Sequence, residues 1–539
     1  MKLTERGIAD THAWKGYALP KFDRANMIAA TKKNPVWIHF GAGNIFRAFQ
    51  AMLAQELLEK NLTDTGIIVA EGFDFDIIDK AYRPYDNLSL LVTLKSDGSI
   101  TKTVAASVAE SYKCDPSFPD DWNALTEIFR NKSLALVTFT ITEKGYAVKD
   151  SDGNFLPAYC ADFEAGPDKA KMFLSRLCAL LYGRYLHADK HPVALVSTDN
   201  CSHNGEKLQA AVRAIAGEWQ KRGFVDEGFI DYISSPESVS FPWSMIDKIT
   251  PRPDAGVQAQ LKADGFEDAE IIVTDKHTYT ASFVNAESPQ YLVIEDAFPN
   301  GRPPLEKAGV YFTTRDTVNK VERMKVCTCL NPLHTALAIY GCLLGYTLIA
   351  DEMKDAELNT LVHRIGYDEG LPVVTDPKII DPKKFIDEVV TVRIPNPFMP
   401  DTPQRIACDT SQKLSIRFGE TIKAYAADPA LGTQKLKYIP LVLAGWCRYL
   451  MALDDEGKKF ELSPDPLLGR VCPFVEKIEL GRTYTAEALD GFLHGLLSDA
   501  SLFGVDLYAA GIAPLVLEYF GELTAGKGAV RATLKKYIR

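Results

Sequence analysis

The chain has 539 residues, more than one hydrophobic core ordinarily organises, which predicts two domains. Its 46% hydrophobic and 24% charged residues are the balance of a soluble globular protein. A formal net charge of -11 leaves no basic excess to neutralise a phosphate backbone, which excludes nucleic acid as main partner but not a small anion held by a few local cations.

No run of about eighteen apolar residues appears, so no membrane span is expected. The opening "MKLTERGIAD" lacks the apolar centre of a signal peptide. The ten cysteines are scattered without a CxxC, and none of the nine histidines stands at ligand spacing from a cysteine pair. Reduced core thiols in a cytoplasmic protein, and no metal site, are expected.

In chain order, "NPVWIHFGAGNIFRAFQAMLAQELLEK" passes from an apolar run over Val36 to Phe40, through Gly41 and Gly43, into helical spacing from Phe46 to Lys60. A second strand follows in "GIIVAEGF". "GSITKTVAASVAESY" reads as antiparallel hairpin material, while "SLALVTFTIT" and "HPVALVSTDN" read as fully buried parallel strands with helices around them. Strands alternating with helices predict a doubly wound α/β domain over residues 1–315. Beyond it "PLHTALAIYGCLLGY", "GETIKAYAADPA", "YIPLVLAGWCRYLMALDDEGKKF" and "TAEALDGFLHGLLSDASL" are helical, which predicts a mainly α-helical domain over 316–539.

Several short stretches carry candidate chemistry. The glycine pair of Gly41-Ala42-Gly43 lets a backbone approach a pyrophosphate seated on Asn44, Ile45 and Phe46 at the helix start. Phe46 occupies the place of the fingerprint's third glycine, so a structural turn, or a methyltransferase loop, fits the same residues. Arg47 either adds a phosphate contact or is a solvated helix residue. Glu71, with Asp74 and Asp76 just after, ends the second strand, where an acid binds ribose hydroxyls and repels a 2′-phosphate; this favours NAD over NADP. Asn200 and Asn204 follow a strand at the sheet edge where ligands bind, and Asn204-Gly205 also reads as a turn. Asp247 and Lys248 stand amid apolar residues as a site or an ion pair.

The densest stretch is "VERMKVCTCLNPLHTALAIYGC". Asn331-Pro332 has the form of a helix start, with Lys325 on the incoming chain. Asn331 and His334 are three apart and share a face. An apolar setting favours a lysine's neutral form, which suits an acid/base. An amide beside it can donate to a developing alkoxide. The same residues also read as a cap, a core histidine and a snorkelling lysine. Arg405 and Lys413 of "RIACDTSQKLSIRF" either hold a carboxylate or sugar hydroxyls, or form a solvated basic face.

Together these stretches resemble the mannitol dehydrogenase family, the polyol-specific long-chain dehydrogenases that include fructuronate and tagaturonate reductases. The resemblance runs in order through "HFGAGNIFRAF", "TITEKGY", "STDNCSHNG", "FPWSMIDKITP", "YLVIEDAFPNGRPPLEKAGV", "VERMK", "LNPLHTALA", "RIACDTSQK" and "LAGWCRYLMALDDEGKKF". It implies a Rossmann-like N-terminal domain, a helical C-terminal domain, and metal-independent hydride transfer with NAD(P). By the same resemblance Lys325 is the acid/base, Asn200 and Asn331 stabilise the oxyanion, and His334 positions the substrate or the lysine. Glu322 helps the proton reach solvent, and Arg405, Lys413 and Asp247 fall in substrate-binding motifs.

The chain departs from the family pattern in two places. The five residues "VCTCL" between Lys325 and Asn331 are one more than the usual spacing. A bulge absorbs the extra residue if Lys325 precedes the helix; inside a helix it would turn the lysine by roughly 100°. Cys408 stands where mannitol dehydrogenases have a histidine after the arginine, which points away from a simple polyol and toward a hexuronate. The chain is also longer than usual around residues 150–190 and 250–280. The expectation is a cytoplasmic NADH-linked reductase of D-fructuronate, with tagaturonate and mannitol chemistry as alternatives. Its partners would be a sugar acid or polyol and, at most, a few copies of itself. A methyltransferase and a dinucleotide-sensing protein without turnover are the readings outside the family.

Overall fold

The computed structural model describes residues 1–538, in two compact units: residues 1–94 with 99–319, and residues 95–98 with 320–538. The expected division at 315 thus meets one after Asn319, inside a helix.

The first unit is built on a six-stranded sheet of β1 (Trp37–Phe40), β2 (Ile67–Glu71), β3 (Val108–Lys113), β4 (Leu136–Phe139), β5 (Val193–Ser197) and β6 (Val239–Ser240). All pairings are parallel, in the order β3-β2-β1-β4-β5-β6. The order reverses between β1 and β4, and open α/β sheets bind ligands beyond the strand ends at such a reversal. The connecting helices are α1 (Asn44–Ala48), α2 (Gln50–Glu59), α3 (Pro119–Arg130), α4 (Phe173–His187) and α5 (Asn204–Lys221).

The strands read as unbroken apolar runs because both faces are covered. Ile38, Phe40, Val137, Phe139 and Leu195 enter one core with Leu125, Phe129, Leu177 and Val212. Trp37, Val69, Leu136 and Val196 enter the other with Phe46, Phe49, Leu53 and Leu57. Each such large side chain contributes on the order of 2 kcal/mol by leaving water. One polar side chain also serves this core. Arg184 of α4 is fully buried and donates to the carbonyls of Phe129, Asn131, Leu134, His191 and Pro192, tying together the turns that lead into β4 and β5.

Two local expectations change. The helix expected from Phe46 to Lys60 breaks at Phe49, whose φ of -126° and ψ of -73° separate α1 from α2. The segment "GSITKTVAASVAESY" is not itself a hairpin. Its first half, Ile100–Ala105, pairs back antiparallel on Ser89–Leu94, which also pairs parallel with Phe283–Glu287. Its second half is β3, the edge of the parallel sheet. Both halves alternate apolar and polar, so the alternation alone does not say which sheet takes them. A third sheet joins Tyr311–Thr313, Tyr291–Glu295 and Ser244–Asp247.

The longer-than-usual stretches are ordered. Pro157–Ala165 and α4 fill the first, and the helix Ala255–Ala263 with the pair Ile271–Val273 and Tyr279–Ala281 fills the second.

The second unit is helical, with no named strand among the described residues. Its axis is a run from Arg315 to Leu344: α6 (Arg315–Met324), a π turn (Lys325–Cys329) and α7 (Asn331–Leu344). By length and composition this run could cross a membrane, unlike the expectation of no such segment, but most of its apolar window is buried inside the protein. Around α7 pack Tyr438–Tyr449, Ala356–His363 and Pro403–Ile406. Tyr340 of α7 donates to the Leu441 carbonyl at 2.7 Å.

Candidate functional site

The glycine loop lies between β1 and α1. Gly41 adopts φ +108°, and a Cβ there would stand 2.1 Å from the Thr140 carbonyl oxygen. Gly43 differs: its φ is -77° and a Cβ would meet nothing within 4 Å. The open space is over Gly43, where the fingerprint requires a pyrophosphate to approach. Gly41→Ala is therefore expected to cost about 2–5 kcal/mol of stability, read as a drop in melting temperature. Gly43→Ala is expected to melt within about 1 kcal/mol of the parent yet to weaken dinucleotide binding.

The rest of the loop is held from behind. Ala42 donates its N–H to Glu71 Oε2 at 2.8 Å, and its carbonyl accepts from Tyr82 at 2.9 Å. Phe46 is buried and stacks on His39 of β1, ring centroids 4.5 Å apart. His39 lies between the Thr138 and Thr140 hydroxyls, and burial lowers its pKa to about 3, so the ring is neutral. Phe46 thus stands in the core, and Gly43, Asn44 and Ile45 are the partly open residues of the loop.

Arg47 corrects both sequence readings. Its guanidinium is buried and donates to the Ala281 carbonyl, Thr280 Oγ1 and Asn44 Oδ1 at 2.6–3.0 Å. It braces α1 against the Tyr279–Ala281 strand and is neither solvated nor turned toward a phosphate.

The acids after β2 are likewise engaged. Glu71 is buried and accepts from the N–H groups of Ala42, Phe73 and Asp74; burial raises its pKa. Asp74 is buried and accepts from Thr274 Oγ1 at 2.6 Å. Asp76 pairs with Lys80 at 2.7 Å. Glu71 ties the glycine loop to the end of β2 and does not project into solvent as the ribose-binding reading expects.

Beyond β5 the loops are laced together. Asp199 accepts from Ile141 N, Thr142 N and Tyr146 Oη at 2.6–2.9 Å, joining the ends of β4 and β5. Asn200 follows it and is exposed, just past the end of β5. Asn204 is buried and opens α5; its Nδ2 donates to Asp199 O and Ser244 O at 3.0 Å. Asp247 is buried at the end of Ser244–Asp247, and Lys248 donates to the Glu287 carbonyl at 2.9 Å.

In the second unit the extra residue has a structural answer. Lys325 lies inside the long helix, not on incoming chain. It opens the π turn, and its carbonyl accepts from Leu330 N, five residues on, at 3.1 Å. Asn331 is the first residue of α7 and not its cap; that place falls to Leu330, whose φ of -133° and ψ of -61° are not helical. A π turn takes up one extra residue, and such bulges concentrate at functional sites. Lys325 is 4% exposed. Glu322, half-buried, precedes it by three positions on α6, a spacing that shares a face.

Asn331, His334 and Thr335 lie one turn apart on α7. His334 faces Asp401 with Nε2 to Oδ2 at 3.6 Å. Its pKa is lowered to about 3, chiefly by burial and then by the charges of Arg417, Arg405 and Arg393. Its imidazole is neutral at working pH. Arg405 pairs with Asp401 and is largely exposed. Lys413 donates to the Cys408 carbonyl at 2.8 Å and stands 4.0 Å from Asp409. Arg417 donates to Thr335 Oγ1 at 2.5 Å, and that hydroxyl in turn donates to the Asn331 carbonyl at 2.8 Å.

The second unit therefore brings Lys325, Asn331, His334, Arg405 and Lys413 into one helical body; Asn200 and Asp247 belong to the first. Sequence reasoning missed Arg393, Asp401, Thr335 and Arg417. The spacings Asp401 to Arg405 and Lys413 to Arg417, each four apart and each running into a helical segment, were the available signal. Arg393 and Arg417 also sit in π turns, Val389–Arg393 and Ser415–Gly419, and the latter packs against the π turn of Lys325.

Comparison with known proteins is consistent along the chain. Residues 36–307 match the mannitol dehydrogenase Rossmann domain and residues 317–507 the mannitol dehydrogenase C-terminal domain. A D-mannonate oxidoreductase of Thermotoga maritima is 53% identical over 542 residues, covering 100% of this chain and 99% of that protein. A mannitol 2-dehydrogenase of Cereibacter sphaeroides is 30% identical, covering 81% of this chain and 84% of that protein. Among solved structures, the ternary complex of Pseudomonas fluorescens mannitol 2-dehydrogenase with NAD and D-mannitol matches with TM-score 0.69 and 26% identity, covering 99% of each chain. A substrate-free D-sorbitol dehydrogenase matches in fold with TM-score 0.78 at 24% identity, covering 97% of this chain and 99% of that one.

Proposed function

This chain belongs to the mannitol dehydrogenase family, and from that premise we propose that it interconverts D-fructuronate and D-mannonate with NAD as hydride carrier. It is an NAD-dependent oxidoreductase of polyols or sugar acids. The open space over Gly43 and the loop held by Glu71 fit a dinucleotide pyrophosphate. The observation that carries the sugar-acid reading is the set of arginines whose charge reaches His334, one turn from Asn331 on the helix of Lys325. An acidic substrate matches that charge; a neutral polyol does not need it. The name of the Thermotoga maritima relative points the same way.

In the reducing direction the glycine loop around Gly43 would hold NADH, whose chemistry there would be hydride donation to the keto carbon. Lys325 gives a proton to the oxygen as charge develops there. Asn331 and Asn200 donate hydrogen bonds to that oxygen. His334, neutral, orients the substrate and leaves the proton to the lysine. Glu322 passes protons between Lys325 and solvent. Arg405 and Lys413 bind the far end of the substrate, its carboxylate or its terminal hydroxyls, and Asp247 takes a hydroxyl. The cytoplasm is the proposed compartment, supported by ten free cysteines.

The test is NADH consumption by the purified protein with D-fructuronate, D-tagaturonate and D-fructose, with NADPH and EDTA as controls. Fast, EDTA-insensitive turnover of D-fructuronate is expected. Turnover of D-fructose alone would overturn the sugar-acid reading.

A further inference from the structure

Arg405, Lys413 and Arg417 are not equivalent as sites for an anion. Arg405 is already neutralised by Asp401 and carries a side chain 62% exposed. Lys413 spends a donor on the Cys408 carbonyl and stands beside Asp409. Both would have to share an incoming anion with a resident carboxylate.

Arg417 stands apart. Among the described residues it forms no ion pair with a carboxylate, and its side chain has one protein partner, the Thr335 hydroxyl. Burial is what perturbs it: its pKa falls to about 10, with no acid offsetting the loss of water. Its charge in turn is the largest of those acting on His334. A half-buried guanidinium without a counter-ion is costly unless a ligand supplies one. Thr335 holds one nitrogen against the first turn of α7, which leaves the rest of a planar five-donor fork for a carboxylate. The turn so gripped also carries Asn331 and His334.

The backbone around Arg417 is specialised as well. The residue lies in the π turn Ser415–Gly419, packed on the π turn that opens at Lys325. In that turn Gly419 is forced to be glycine, since a Cβ would stand 2.0 Å from the Phe503 carbonyl oxygen.

We infer that Arg417 is the residue that binds the substrate's carboxylate, and so sets the preference for a sugar acid over a neutral sugar, with Arg405 and Lys413 left to hydroxyls. This rests on the sugar-acid reading above and narrows it to one guanidinium.

The experiment compares the parent protein with Arg417→Met, Arg417→Lys and Arg405→Leu, measuring kcat and KM for D-fructuronate and D-fructose. Arg417→Met is expected to raise KM for D-fructuronate on the order of 100-fold, and to lower the ratio of the two kcat/KM values by a similar factor. Arg417→Lys, which keeps the charge and loses the fork, should recover only part of it. Arg405→Leu should affect the two substrates about equally. A parent that turns over no uronate sinks the sugar-acid reading before any variant is made, and this inference with it. A parent active on D-fructuronate whose Arg417→Met variant keeps its selectivity, or whose Arg405→Leu variant loses it instead, overturns the inference alone. If Arg417→Met fails to fold, Thr335→Val decides. It leaves the guanidinium in place but unanchored, and should raise KM for D-fructuronate selectively. An equal change for both substrates would count against the assignment.

Discussion

Lys325→Ala is expected to lower kcat for keto-acid reduction by roughly 10³-fold while NADH still binds. The lysine is 4% exposed and stands on the helix that bears the Asn331 and His334 face. His334 cannot replace it, because burial lowers its pKa to about 3 and at neutral pH it is an imidazole, not an imidazolium acid. Alanine is the better helix former, so a general loss of structure is not the expected cause. Stopped-flow reduction under saturating NADH isolates the chemical step, and a small primary amine added to the variant should restore part of the rate. A kcat within tenfold of the parent's would remove Lys325 from the acid role.

Deleting Val326 is expected to be as damaging as removing the lysine, although no functional group is lost. Val326 is a partly exposed residue of the π turn, so its removal leaves the smallest packing defect. Without it the turn contracts to α, and Lys325 rotates by roughly 100° relative to Asn331 and His334. The deletion variant should retain its far-ultraviolet circular dichroism and lose roughly 10³-fold in kcat. Val326→Ala, which keeps the residue count, should stay within a few-fold of the parent. A deletion variant with more than about a tenth of parental activity would show that the π turn does not set the position of the lysine.

The parallel sheet was legible because each strand is apolar on both faces, as Ile38 and Trp37 show by entering different cores. Gly41 and the Asn331-His334 spacing were legible because each rests on local geometry. The π turn was half legible: "VCTCL" showed one extra residue, but not that a five-residue hydrogen bond within the helix, and not a bulge ahead of it, takes that residue up. Arg47 was misread because its partner Thr280 is 233 positions away. Glu71 was read for its place at a strand end, but its oxygens are taken by backbone N–H groups that only the folded loop brings to it. Arg417 went unnoticed for the opposite reason: what distinguishes it is a missing counter-ion, a property of the packed protein.

The three hydrogen bonds to Glu71 have a kinetic meaning. They fix Ala42 and the turn after β2 to one carboxylate, so the loop's conformational entropy is already lost when the chain folds. A dinucleotide then meets a surface set in its bound shape, and little of its binding energy is consumed in ordering backbone. Association follows encounter and orientation, with no slow rearrangement of the loop ahead of it. In such a site the lifetime of the complex, and not the rate of capture, tunes affinity for the cofactor.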